Sequence, residues 1–195
     1  MFTDLILCKE HFSDLGFDKV ISVNIIEPAT KKELRKKLKQ ESGLRVVLGS
    51  ANNRTVAETK KVDILLSPEK GVKKDSLHHR NSGLDTVICG LAKKNSIAIG
   101  FNFNDILTNE GTKRAEIIGR MMQNVWLCRK YKLRMVLGSF AKDKWQMRAR
   151  NDLISFGIIL GMHPAEAKKS LEAISEILKE KKEKKFVICE GVKQL

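Results

Sequence analysis

Three stretches of the chain carry residue types that can act on a charged partner. Leu77–Gly83 (LHHRNSG) sets His78, His79, Arg80 and Asn81 just before an expected helix start. That arrangement can capture phosphate, because an arginine fork makes two-point contacts and helix amides add their dipole. The same stretch also reads as a solvated loop with an ordinary cap. As metal ligands His78 and His79 are a poor pair, since adjacent side chains diverge and no third ligand lies near in sequence. Ser139–Arg150 (SFAKDKWQMRAR) mixes the cations Lys142, Lys144, Arg148 and Arg150 with Phe140 and Trp145. Interleaved cations and aromatics suit stacking on unpaired bases; Trp145 as a packed loop anchor is the other reading. Gly119–Asn124 (GRMMQN) puts Met121 and Met122 on one helix face and Arg120 and Gln123 on the other, with Arg114 earlier on the same helix. Methionines at that spacing are core packing, and Arg120 serves either a partner or an internal salt bridge.

For catalysis the chain is poor. It has no nucleophile elbow, no HExxH, no P-loop and no carboxylate pair flanking a histidine. Four cysteines (Cys8, Cys89, Cys128, Cys189) are spread too widely for a disulfide framework or a CxxC knuckle, which points to reduced thiols in a cytosolic protein. No apolar run approaches the roughly 20 residues of a membrane span. The charge is the informative quantity: 37 Lys and Arg against 23 Asp and Glu, a net of +14. Residues 66–150 hold 17 basic and 7 acidic groups, net +10, with seven of the ten arginines. Such an excess in an ordinary globular composition, 42% hydrophobic over 195 residues, points to a polyanionic partner. The lysine run Lys179–Lys185 is nearly cancelled by nearby glutamates and reads as a solubilising helix end.

The elements that must position these residues alternate. Strands are expected at Phe2–Cys8, Val20–Ile26, Arg45–Gly49, Val62–Ser67, Ser96–Phe103, Leu133–Ser139 and Phe186–Cys189. Helices fall between them: from a Thr30–Glu33 capping box to Gly43, from Asn52 or Asn53 to Lys61, and from a Ser82–Asp85 cap with Leu84, Val87, Ile88, Leu91 and Ala92 inward. A long helix over Thr112–Tyr131 buries Ile118, Met121, Met122, Val125 and Cys128. Another is capped by Asn151, and a last one runs from Pro164 through Leu178.

Near-continuous apolar strands separated by helices indicate a parallel sheet covered on both faces, hence an α/β fold. With no GxGxxG after any strand, a small irregular β/α (TIM-like) barrel of about seven strands is expected, one domain over residues 1–195. In such a barrel the loops after the strands share one face. Here those loops carry Arg54, Lys70, Lys73, Lys74, His78, His79, Arg80, Lys142, Lys144, Arg148 and Arg150, which makes that face positive.

The blocks VDILLSPEK (62–70), HHRNSGLDTVIC (78–89), LAKKNSIAIGFNF (91–103), GRMMQNVWLCRKYKLRMVLGSFA (119–141) and DLISFGIILGM (152–162) together resemble the ribonuclease P protein component 3 family. The resemblance covers about residues 62–170, and its specificity lies in the order and length of the blocks. It implies a barrel similar to the polymerase-and-histidinol-phosphatase superfamily, whose early DLHxH motif binds metal. At the matching Asp4-Leu5-Ile6-Leu7-Cys8 both histidines are replaced, by Ile6 and Cys8, which argues against a metal hydrolase site. The family implies a subunit of the ribonucleoprotein endonuclease that removes the 5′ leader of precursor tRNA. It would stabilise the catalytic ribonuclease P RNA with protein component 2 and other ribonuclease P proteins. The chemistry would belong to the RNA and its Mg2+, with no cofactor on the protein and no membrane. The residues expected to meet RNA are Arg80, Arg114, Arg120, Lys142, Lys144, Arg148 and Arg150, with His79. The rivals are a metal-dependent phosphoesterase of the same barrel type, using His11, His78, His79 and His163, and a general RNA-binding protein.

Overall fold

The structure is a computed structural model that describes residues 1–27, 30–71, 75, 80–189 and 192–193. The chain runs β1 (Thr3–Ile6), β2 (Lys19–Ser22), β3 (Ile25–Ile26), α1 (Lys31–Gln40), β4 (Val46–Leu48), α2 (Asn53–Ala57), β5 (Ile64–Leu66) and α3 (Thr86–Lys94). It continues with β6 (Ala98–Asn102), α4 (Phe103–Leu107), α5 (Gly111–Tyr131), β7 (Met135–Gly138), a short 3-10 turn at Lys144–Gln146, α6 (Arg150–Ile159) and α7 (Pro164–Phe186). The hairpin strands β8 (Val187–Cys189) and β9 (Val192–Lys193) close it.

Strands β3-β4-β5-β6-β7 form one parallel sheet, and β1 pairs in parallel with β2. Backbone bonds join the two. Val23 N donates to Ile6 O at 2.9 Å, and β3 follows β2 after two residues, so β2 and β3 share one place between β1 and β4. On the far side Phe140 N donates to Leu5 O at 2.7 Å and Leu7 N to Ala141 O at 2.8 Å, bringing the end of β7 onto β1. The result is the expected α/β barrel, with six strand places. The seventh expected strand is a correction: Val187–Cys189 pairs antiparallel with Val192–Lys193.

Alternation within each strand sorts the core. Leu5, Val46, Ile64, Leu66, Ala98 and Val136 form one buried cluster, the barrel interior. Val47, Leu65, Ile99, Phe101 and Leu137 face outward onto Leu34, Leu38, Ile88, Met121, Val125, Leu153 and Phe156 of the helices. Both faces of β1 and of β4 to β7 are buried, which is why these strands read as unbroken apolar runs, whereas β2 is largely exposed. Helix α7 begins at Pro164, where the missing N–H is no loss. It runs past the expected Leu178, and Ala173, Ile174 and Ile177 join the interior cluster. Ser175 bonds Thr3 at 2.7 Å, Glu180 grips Arg134 through two bonds, and Lys181 donates to the Gly43 carbonyl and to Asp63. Those partners precede or begin β1, β4, β5 and β7, so α7 closes the end of the barrel where the strands start. The lysine run is thus partly structural, not only solubilising.

Two caps and two helix-face residues differ from the expectation. Asp85, not Ser82, caps α3 by accepting from Ile88 N at 2.7 Å, and Ser82 is buried. Helix α6 starts at Arg150 after Ala149, without a side-chain cap, so Asn151 lies inside it. Val87 and Met122 are exposed, because each sits at the margin of a helix stripe that faces solvent.

Candidate nucleic-acid interface

The connection from β7 to α6 is built as a rigid display. Asp143 caps the 3-10 turn by accepting from Trp145 N at 3.0 Å, and Gln146 Oε1 accepts from Lys142 N at 3.0 Å. Met147 is buried with Ile6 and Ala141 and anchors the turn from below. Arg148 Nη1 donates to the carbonyls of Met147 (2.7 Å) and Trp145 (3.2 Å), while its guanidinium lies 5.8 Å from the Phe103 ring. Arg150 stacks over Phe2 at 4.7 Å, and its N–H donates to Leu15 O at 2.8 Å. Lys144 pairs with Glu10 at 3.1 Å, whereas the exposed Lys142 has no carboxylate partner among the described residues. Trp145 is 72% exposed and is therefore no packed anchor; Phe12 meets it in a T-shaped contact at 5.3 Å.

The other candidates gather between the β5–α3 connection and α5. Arg120 pairs with Asp75 at 3.0 Å, and Asp75 also accepts from Asn81 N at 2.8 Å. Arg80 lies flat on Gly119: its Nη1 donates to the Gly119 carbonyl at 3.4 Å, and a Cβ on Gly119 would stand 2.9 Å from its Cζ. Arg114 donates to Asn109 O at 2.6 Å. The Asp85 carboxylate caps the α3 N-terminus beside them by accepting from Ile88 N. His78, His79, Lys73 and Lys74 lie outside the described residues.

Beneath these side chains lies a buried polar layer at the ends of β5 and β6. Ser67 turns the chain with φ of +48°, its hydroxyl donating to Asp105 at 2.8 Å, and Lys70 pairs with Asp105 at 2.7 Å. Asn53 Nδ2 ties Pro68 O (2.7 Å) to Gly83 O (2.9 Å). Gly83 is required there: its φ is +78°, and a Cβ would fall 1.9 Å from Pro68 O. Asn124 of α5 donates to Ser82 O at 3.1 Å and to Glu69 at 3.3 Å. Burial pushes the Glu69 carboxyl up to about 8, with Asp105 adding to the effect. The barrel mouth is a cavity of about 280 Å³ edged by Lys70, Asn102, Asn104, Asp105, Phe140 and Lys142.

The early motif does not fit a metal. Both oxygens of Asp4 are engaged, by Ser139 N, Ser139 Oγ and Leu5 N, and burial pushes its carboxyl up to about 6. Ile6 is buried and apolar, and among the described residues no three His, Cys, Asp or Glu side chains gather to hold an ion.

Phe12, Glu10, Glu69, Asn124 and the half-exposed Trp126, over which Lys130 sits at 5.1 Å, were not legible as parts of these clusters. Apart from Trp126 and Lys130, an i, i+4 pair on one helix, their partners are distant in sequence.

Fold and surface together define a β/α barrel whose loop face carries a group of cations. The family model described as RNase P subunit p30 matches residues 21–186, and the chain belongs to that family. It is 38% identical over 120 residues to ribonuclease P protein component 3 of Thermococcus gammatolerans, covering 61% of this chain and 52% of that one. To the protein of the same name from Methanocaldococcus jannaschii it is 32% identical over 164 residues, 82% of this chain and 67% of that one. The chain spans about half the length of several curated relatives it matches. A chain of an archaeal ribonuclease P solved by cryo-EM with mature tRNA superposes with a TM-score of 0.72 at 28% identity, covering 91% of this chain and 80% of that chain. No helix among the described residues is long and apolar enough to cross a membrane.

Proposed function

We propose that this chain is a protein subunit of ribonuclease P. It binds and stabilises the catalytic RNA beside protein component 2 and the other ribonuclease P proteins, and so acts in removing the 5′ leader of precursor tRNA. The observation that carries this is the likeness over nine-tenths of the chain to a subunit of an archaeal ribonuclease P that holds tRNA. The cations of the β7–α6 turn supply the physical means, since phosphate neutralisation lets a folded RNA pack on itself. The RNA carries the reaction with its own Mg2+, and the protein contributes no cofactor. A cytoplasmic setting suits the free thiols Cys8, Cys89 and Cys128.

The test is reconstitution of holoenzyme from RNA and the remaining proteins, with and without this chain. Adding it should lower the Mg2+ needed for 5′ cleavage of precursor tRNA. Cleavage by the RNA-free protein alone would instead favour the phosphoesterase reading, and binding without any effect on cleavage would favour a general RNA-binding protein.

A further inference from the structure

We propose that Trp145 and Phe12 form a stacking platform for one unpaired base of the RNA whose phosphates meet Lys142, Lys144 and Arg148. The inference rests on the RNA-binding reading above and names the part of the RNA this site takes.

Trp145 is the most exposed large hydrophobic side chain among the described residues. It is held there by construction. Asp143 holds its backbone N–H, Arg148 its carbonyl, and the buried Met147 pins the turn, so the backbone that presents the ring is fixed. Phe12, from the segment between β1 and β2, braces it in the T-shaped contact, and the Glu10–Lys144 pair ties that segment to the turn. A T-shaped contact uses a ring edge, and Lys144 Nζ approaches from 5.8 Å. Most of the indole surface stays bare.

The occupant follows from charge. Lys144 lies 5.8 Å from the indole and Arg148 bonds the Trp145 carbonyl, with Lys142 and Arg150 on the same turn, and the carboxylates Asp143 and Glu10 are already engaged by the cap and by Lys144. A largely exposed π surface beside cations fits a polyanion that also presents a π face. A single-stranded nucleotide does so, whereas a duplex keeps its bases inside the stack.

The test uses the full chain with two RNAs of equal length, a hairpin with an unpaired purine loop and a blunt duplex. Trp145→Ala should weaken hairpin binding about ten-fold, the scale of one base–aromatic stack, and leave duplex binding unchanged. Trp145→Phe should keep most of the affinity. The salt slope should not move, because no cation is removed. The chain has two tryptophans, so in a Trp126→Phe background the hairpin, and not the duplex, should quench the fluorescence of Trp145. Equal loss on both RNAs, no loss on either, or loss only of a protein partner's binding would overturn the platform while the RNA reading stands. Wild-type protein that binds neither RNA in a salt-sensitive way would overturn both.

Discussion

Asp4 on β1 and Ser139 just after β7 stand 135 residues apart and are bound twice. Ser139 N donates to Asp4 Oδ1 at 2.7 Å and Ser139 Oγ to Oδ2 at 2.6 Å. With Phe140 N on Leu5 O, this pair forms the seam at which the barrel closes. Ser139→Ala removes the donor to Oδ2 inside the protein, which should cost about 1–3 kcal/mol. For a chain of this size that lowers Tm by roughly 2–4 °C per kcal/mol. Thermal melting by circular dichroism checks it; an unchanged Tm would mean that other bonds hold the seam.

Glu69 makes stability depend on pH in an unusual direction. Its folded carboxyl titrates at about 8 against an ordinary 4.5. Between those values the unfolded chain gives up the proton and the folded chain keeps it, so stability falls as pH rises through that window. Asp4, raised to about 6 from 3.8, adds the same sign over a narrower range. Glu69→Gln keeps the acceptor for Asn124 and cannot ionise. It should melt like wild type near pH 5 and several degrees higher near pH 8. A variant whose melting profile parallels wild type across that range would show that Glu69 titrates normally.

The architecture was legible because the central strands are buried on both faces and the long helices carry an apolar stripe: Ile64, Leu65 and Leu66 form a short β-rich run bounded by turns, and it is a strand buried on both sides. The ends were not. Phe186–Cys189 has the composition of a barrel strand, yet α7 runs unbroken to Phe186 and delivers it past the barrel. The candidate cations were visible as residues, but not their different tasks. Arg120 is half-spent on Asp75, and Lys142 is not, a distinction made by a partner 45 residues away that no local pattern encodes.

That distinction is measurable. If about five cations meet phosphate, log K for RNA should fall with log[salt] at a slope of roughly −3.5 to −4.5. Lys142→Ala should shrink the slope by roughly 0.7–0.9 with Tm unmoved, since an exposed, unpaired lysine supports little of the fold. Lys144→Ala should weaken RNA binding more, because it also uncovers Glu10, whose carboxylate the ammonium now holds at 3.1 Å. Equal effects of the two variants would mean that Glu10 does not face the RNA.

Arg148 and Arg150 combine fixed position with uncancelled charge. Arg148 is held by two carbonyls and the Phe103 ring, Arg150 by the Phe2 ring, and neither pairs with Asp143, Asp152 or any other carboxylate among the described residues. Their forks are thus pre-set for phosphate without a rival anion. Replacing both by alanine removes two cation–π interactions of about 0.5–1 kcal/mol each and the two bonds from Arg148 to the Met147 and Trp145 carbonyls, so Tm should drop by several degrees. RNA binding should fall further, by ~1.5–3 kcal/mol for each charge-assisted hydrogen bond to phosphate that disappears, and the salt slope should shrink by about 2. The double lysine variant separates charge from geometry. It should restore the slope, because the charges return, but not the full affinity, because an ammonium cannot grip phosphate at two points. Holoenzyme carrying the double alanine variant should need more Mg2+ for cleavage, the ion supplying the missing neutralisation. A double alanine protein that melts early yet binds RNA with the wild-type slope would show that these arginines serve the turn and not the RNA.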